Sequence, residues 1–257
     1  MWLDPARAVA DFPFYRSLPG KSLGATVGYL AYLGVLFSLV SVAALLVRAA
    51  PIIEEAVAWA SAAIPPMTLS QGRLSSSLQE PLRLQYPGQE RLAFILDTAR
   101  TTPPTAQEMD EKKVIAYFIR DSVTVAGRNR LEVYDLSASK DAPALTIDGT
   151  FYRSLGDFFK KALGPVGFVT TWALFMAWKH LAALMYALVA LLLNALLSAG
   201  LEFPALYRVS VYAQTPVIVL QAAALFLPAP IPLFGLLSLL VGGLYLWQAI
   251  RQIQGAP

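Results

Sequence analysis

Residues 23–47 form a run of 25 residues without one charged side chain. Wound as a helix, the run rises roughly 37 Å, enough to cross about 30 Å of hydrocarbon with some tilt. It exceeds the core of a cleavable signal peptide, typically about 7–15 residues, so the Ala-x-Ala pattern near Ala58 to Ala62 is expected to stay uncleaved. This one segment commits the chain to a bilayer.

The rest of the sequence divides around that commitment. Charged residues make up 14% of the chain, against about 25% in an ordinary soluble domain. The deficit is local: residues 67–149 carry ten Lys or Arg and eleven Asp or Glu, while both flanks are nearly bare. Lipid-buried flanks around a water-facing insert are the expected arrangement. The net charge of +3 comes from residues beside the apolar runs, so no basic stripe is left for a nucleic-acid partner. With no cysteine, disulfides, thiolate metal sites and thiol nucleophiles are excluded.

Residues 1–22 mix Arg7, Arg16 and Lys21 with Trp2, Phe12, Phe14 and Tyr15, as an amphipathic stretch at the cytoplasmic surface would. After the first span at 23–47, residues 48–66 predict a separate interfacial helix. Pro51 suits its first turn, and Pro65-Pro66 ends it. Residues 67–149 alternate as strands do, as in Leu82-Arg83-Leu84-Gln85, and predict five or six mainly antiparallel strands with a turn at Gly127-Arg128-Asn129. A short helix is expected over residues 107–113. Residues 150–164 predict a second interfacial helix broken by Gly164-Pro165, and 165–201 a long helix whose spanning part lies mostly after Lys179. A cytoplasmic loop at 202–208, a transmembrane hairpin at 209–250 and a tail at 251–257 complete the chain. The expected fold is α-helical and membrane-embedded. It has about four transmembrane helices and a small extracytoplasmic β-rich (α+β) domain between the first and second. Four crossings place Arg7, Arg16, Lys21, Arg208 and Arg251 all in the cytoplasm, as the positive-inside rule favours; five would send Arg208 and Arg251 outside.

Three stretches carry a family resemblance: Phe12-Pro13-Phe14-Tyr15-Arg16, the pattern Gly72…Pro81…Ile95-Leu96-Asp97-Thr98, and residues 207–216 from Tyr207 to Pro216. Together they resemble the bacterial membrane family catalogued as domain of unknown function 1189, some members of which are labelled maltodextrin utilization proteins. The tyrosine-to-proline stretch is also similar to the Yip-type membrane-protein superfamily. The resemblance implies the architecture above and supplies no catalytic residues, cofactor or metal.

No chemistry-bearing motif stands out. His180 is the single histidine and lies in or at the membrane, away from any carboxylate. Asp97-Thr98 lacks the second acidic residue of an aspartyl-phosphate motif, and reads as a strand-end turn. Lys179 and His180 are the first functional candidates, because ionisable groups inside a bilayer are costly. The simpler account is that Lys179 snorkels to the outer headgroups with His180 beside it. Asn194, Gln214 and Gln221 could line a polar path or bond between helices. Pro216 is a candidate hinge, and Gly242-Gly243 a close helix contact.

The expected function is therefore non-enzymatic. The chain reads as an accessory or scaffold protein of the bacterial cytoplasmic membrane, with its outer domain binding a partner or ligand and its helices docking on another membrane complex. Self-association is left open. A sugar-transport component with a path near Lys179 and His180, and a Yip-like membrane-organising protein, are the alternatives. An aromatic-lined concave pocket in the inserted domain would be the structural mark of ligand binding.

Overall fold

The computed structural model describes residues 2–78, 80–89, 92–127 and 130–255. The chain splits into a helical unit, Met1–Arg48 with Ala162–Pro257, and an inserted unit, Ala49–Lys161. Two helices run through both.

The helical unit opens with α1 (Asp4–Ala10) and a 3-10 segment (Phe12–Ser17), followed by α2 (Leu23–Ala63). Helix α2 does not stop at residue 47. Pro51 lies inside it, so no separate interfacial helix precedes Pro65. Proline removes one N–H bond, to the carbonyl of Val47, and the Ala- and Glu-rich turns on either side carry the helix past that loss. Later in the chain comes α4 (Gly149–Leu197), 49 residues that run through Gly164-Pro165 for the same reason. Then follow α5 (Phe203–Ala213), α6 (Thr215–Ala224) and α7 (Phe234–Gln254). Among the described residues three helices, α2, α4 and α7, are long and apolar enough to cross a membrane; α5 and α6 are short pieces on either side of Gln214.

Within this unit, α2 and α4 pack antiparallel through small residues. Gly34 receives Trp172 and Phe175, and Gly167 receives Val42 and Leu45, with Phe37 and Phe175 ring centroids 5.2 Å apart. The charge-free run of α2 thus lies against the part of α4 before Lys179, not after it. Gly242 of α7 faces the ring of Tyr186 so closely that an added Cβ would fall 2.6 Å from Cζ, while Gly243 faces open space. The expected close contact involves one glycine of the pair.

Among the described residues the inserted unit has eight strands in two sheets, where five or six were expected. The smaller sheet joins β1 (Met67–Ser70), β2 (Arg73–Ser76) and β8 (Leu145–Ile147) in the order β2-β1-β8, all antiparallel. The larger has β3 (Leu82–Gln85), β4 (Ala93–Asp97), β5 (Ala116–Ile119), β6 (Ser122–Ala126) and β7 (Leu131–Asp135) in sequential order, with β4 and β5 parallel. That parallel pair needs a crossover. It is made by the segment holding α3 (Ala106–Glu111), capped by the Thr105 side chain, which accepts from the Glu108 N–H. Of the turn expected at Gly127-Arg128-Asn129, Arg128 and Asn129 lie outside the described residues.

Period-two alternation sorts the central strands onto two faces. Ala93, Ile95, Tyr117 and Ile119 pack with Met109 of α3 and Val114, whereas Leu96 joins Met67 and Leu74, with Phe118 packed against them. Both faces are covered, which is why β4 reads as a continuous apolar run rather than an alternating one. The C-terminal part of α2, from Ala49, and the start of α4 belong to this unit as well. They meet where Gly156 seats Val57 and where Ser61 Oγ donates to the Gly149 carbonyl at 3.4 Å.

Candidate functional site

The first concentration of buried polar groups lies in the helical unit, around the break at Gln214. Pro216 was expected to kink one helix; it is instead the second residue of α6 and is buried. Lacking an N–H, it leaves the Tyr212 carbonyl without its helical partner. Thr215 Oγ1 donates to that carbonyl at 2.7 Å, and Tyr15 Oη adds a weaker approach at 3.5 Å. With its proton committed there, the Thr215 hydroxyl accepts from Tyr29 Oη at 2.7 Å. Tyr29 and Tyr212 stack with centroids 4.0 Å apart. The candidate hinge is thereby cross-bonded to two other segments.

The N-terminal segment docks on this joint rather than lying as a surface stretch. Tyr15 and Leu18 are fully buried, and Tyr15 Oη donates to the Ala8 carbonyl at 2.7 Å. Lys21 Nζ lies 2.8 Å from Asp4 Oδ2 and 3.2 Å from Tyr212 Oη, over the faces of Phe14 and Tyr212. Burial is the largest single influence and works against both charges, but their mutual hydrogen bond, their charge attraction and further polar neighbours together outweigh it: the Asp4 pKa is held below, and the Lys21 pKa above, the ordinary value. Arg16 donates to the Gln252 carbonyl and side chain, and Arg208 to the Pro19 carbonyl. Two of the three family-resembling stretches, 12–16 and 207–216, are therefore packed together. Sequence inspection sets them side by side as a resemblance, with Thr215 inside the second stretch but given no role, and it misses Tyr29, which no local pattern marks.

Of the polar residues nominated from sequence, the structure brings together one pair. Lys179 Nζ donates to Gln221 Oε1 at 2.6 Å, between α4 and α6. Lys179 is 4% exposed, so it does not snorkel. His180 Nδ1 lies 2.8 Å from Tyr207 Oη. Asn194 bonds locally, exchanging both side-chain hydrogen bonds with the Leu201 backbone across the α4–α5 connection. Gln214 bonds only the Ser210 carbonyl of its own helix, at 3.4 Å. These groups do not assemble into a continuous polar path. Among the described residues no group of three or more His, Asp or Glu side chains gathers to hold a metal.

The inserted unit holds the other site. A cavity of about 290 Å³ is lined by both sheets, by Trp59 near the end of α2 and by Phe151 and Tyr152 at the start of α4. Phe94, Leu96 and Phe118 face it from the larger sheet, Leu69 and Leu74 from the smaller. Among the described residues no charged side chain lines it. Its volume is roughly twice that of an engineered apolar cavity that stays dry and admits benzene. The space is partly open rather than a sealed void, so its apolar walls are accessible to a group of matching chemistry.

The same unit carries a cluster of paired polar groups. Arg100 and Lys112 both bond Glu108, at 2.6 and 2.8 Å, over the ring of Tyr117. The hydrogen bond from Arg100, then that from Lys112, pulls the Glu108 pKa down to about 2. Asp97 accepts from Tyr117 Oη at 3.4 Å instead of capping its own turn with its side chain, and Thr98 N–H donates to Glu80.

No curated protein matches the chain, and no solved structure matches it. One family model does, over residues 6–250, and it is described as "Protein of unknown function (DUF1189)". That match covers nearly the whole chain, including the docked N-terminal segment, the inserted unit and α7, and so the protein belongs to the DUF1189 family.

Proposed function

We propose that this chain is a non-enzymatic, four-pass protein of the bacterial cytoplasmic membrane whose extracytoplasmic domain takes up an apolar ligand. The observation that carries the reading is the 290 Å³ cavity, walled by aromatic and aliphatic side chains and free of charge. The helices whose outer turns contribute Trp59, Phe151 and Tyr152 are the same α2 and α4 that carry the apolar runs. Occupancy is thus registered by side chains on membrane helices, which suits an accessory protein that docks on another membrane complex.

The four crossings are α2, α4, the broken pair α5–α6, and α7. Two observations support them. Tyr29 bonds Thr215 and Arg48 bonds the Leu227 carbonyl at 2.7 Å, so the chain from 215 to 227 runs alongside α2 in the same direction. Arg16 meets Gln252 and Arg208 meets Pro19, which gathers basic residues of both terminal regions at one end of the helical unit. Both termini then face the cytoplasm.

The test is photolabelling of the purified full-length protein with adamantyl diazirine, a compact uncharged hydrocarbon. Label is expected on β-strand residues such as Phe94 and Phe118, as well as on lipid-facing Leu188 and Leu192. Filling the cavity with Leu74→Trp should remove the strand label and leave the lipid-facing label. Strand label that survives the substitution, or that never forms beside normal labelling of α4, would reject the reading.

A further inference from the structure

Lys179 lies at mid-depth in the helical unit. The groove beside it is bounded by Phe37, near the middle of the 23–47 run, and by Gln221, midway between the Thr215 that meets Tyr29 and the Leu227 that meets Arg48. The ammonium has one acceptor, Gln221 Oε1, and the ring of Phe175 at 5.9 Å. An ammonium has three donors, and a charge inside hydrocarbon is costly unless an opposite charge meets it. The chain's own apolar runs have none to give: residues 23–47 contain no Asp or Glu, and Glu202 is the only one in 162–257. Among the described residues no carboxylate comes within ion-pair distance of Lys179. A second copy of the chain would bring the same carboxylate-free runs, so a counter-charge at this depth has to come from a different protein.

The groove, of about 280 Å³, opens between α2, α4 and α6, with walls of Phe37, Leu174, Phe175 and Trp178. Leu174 and Trp178 are exposed on the apolar surface of α4, and Leu181 and Met185 continue that exposed line. Successive members lie four, three and four residues apart, the alternation by which one helix packs lengthwise on another. The groove thus joins an apolar seam suited to a helix with a buried cation that lacks a counter-charge. Lipid headgroups and dissolved anions stay at the bilayer surface, whereas a carboxylate carried on a transmembrane helix reaches this depth.

We propose that this groove docks a transmembrane helix of a different protein, one that carries a Glu or Asp near its middle and places that carboxylate on the remaining donors of Lys179. The inference deepens the docking half of the function proposed above and rests on the four crossings. It is independent of the cavity in the inserted unit and stands whether or not that cavity takes a ligand.

The test places the full-length protein in phosphatidylcholine vesicles with synthetic Leu-Ala transmembrane helices that differ only at a central Glu, Gln or Leu. The chain has no cysteine, so a donor dye on the exposed position Ser154→Cys and an acceptor on the peptide report association by energy transfer. The Glu helix should associate about tenfold or more tightly than the Gln helix, the effect of one charge-assisted hydrogen bond, and the Leu helix most weakly. Lys179→Met should erase the preference for Glu, and so should moving the Glu two turns off centre. Should Lys179→Met fail to fold, Leu174→Trp tests the same point, because it obstructs the groove from an exposed position. Equal association of the Glu and Gln helices with wild type, or a preference for Glu that persists in the folded Met or Trp variant or with the off-centre peptide, would overturn the assignment. Failure of the four crossings reads differently. A thiol at Leu174→Cys that reacts with an impermeant maleimide in sealed vesicles would overturn both readings, whereas an unreactive thiol beside absent Glu preference would overturn the docking assignment alone.

Discussion

Thr215→Val should damage this protein more than its single lost oxygen suggests. The Thr215 hydroxyl stands in for the N–H that Pro216 lacks, and it also receives the Tyr29 proton. Its removal deletes one interhelical hydrogen bond, worth about 0.6–1.7 kcal/mol between membrane helices. It also strands the Tyr212 carbonyl, costing about 1–3 kcal/mol, because Tyr15 reaches that oxygen only at 3.5 Å while bonding Ala8 at 2.7 Å. The sum is about 2–4 kcal/mol, a fall in Tm of about 5–15 °C for a chain of this size. Tyr29→Phe removes only the first contribution, since Thr215 keeps its bond to Tyr212, and should cost about 1 kcal/mol. The double variant should cost less than the two singles combined, because no Tyr29 hydroxyl is then left unpaired. Thermal unfolding of the four purified proteins in one detergent, followed by loss of the monodisperse peak, gives the ranking. If Thr215→Val melts with wild type, or if Tyr29→Phe is the more damaging change, the proline break is not satisfied in the way described.

Two further outcomes test the inserted unit, with Gly164 of the helical unit as the control. Gly156→Val should destabilise by about 1–3 kcal/mol, since even a Cβ there would lie 2.5 Å from Val57 Cγ2, whereas Gly164→Ala meets nothing within 4 Å and should be neutral or mildly stabilising in the same melt. Glu108 is a depressed carboxylate, so its contribution is full above its ordinary pKa of 4.5 and is lost as pH falls toward about 2. Glu108→Gln should therefore be less stable than wild type at pH 7 by about 1–2 kcal/mol, after allowing for solvent screening of a partly exposed network. The gap should close in denaturation curves taken near the folded pKa; a gap that stays constant with pH would refute the assignment.

How far the sequence reaches depends on whether the relevant signal is local. The absence of charge over residues 23–47 is local, and it sufficed to place that run in a helix long and apolar enough for a bilayer. Alternation in Leu82-Arg83-Leu84-Gln85 is local too, and it marked a strand correctly. The helix limits were less legible, because Pro51 and Pro165 each suit a first turn as well as an interior site that sacrifices one hydrogen bond. Strand number was undercounted because β1, β2 and β8 are only three or four residues each and gain their order from pairing, Met67 with both Ser76 and Ile147.

The sequence by itself determined the division of the chain into charge-poor flanks and a charged insert, since hydrocarbon and water partition side chains one residue at a time. It also determined which rare polar groups had to be accounted for, Lys179 foremost. Tertiary structure alone decided what those groups meet. Gln221 reaches Lys179 across 42 positions, and Thr215 answers Tyr29 across 186. The cavity likewise exists only because two sheets and two helix ends, drawn from residues 59 to 152, close around one volume. A distance between side chains that far apart in the chain is fixed by packing, and no periodicity in the sequence encodes it.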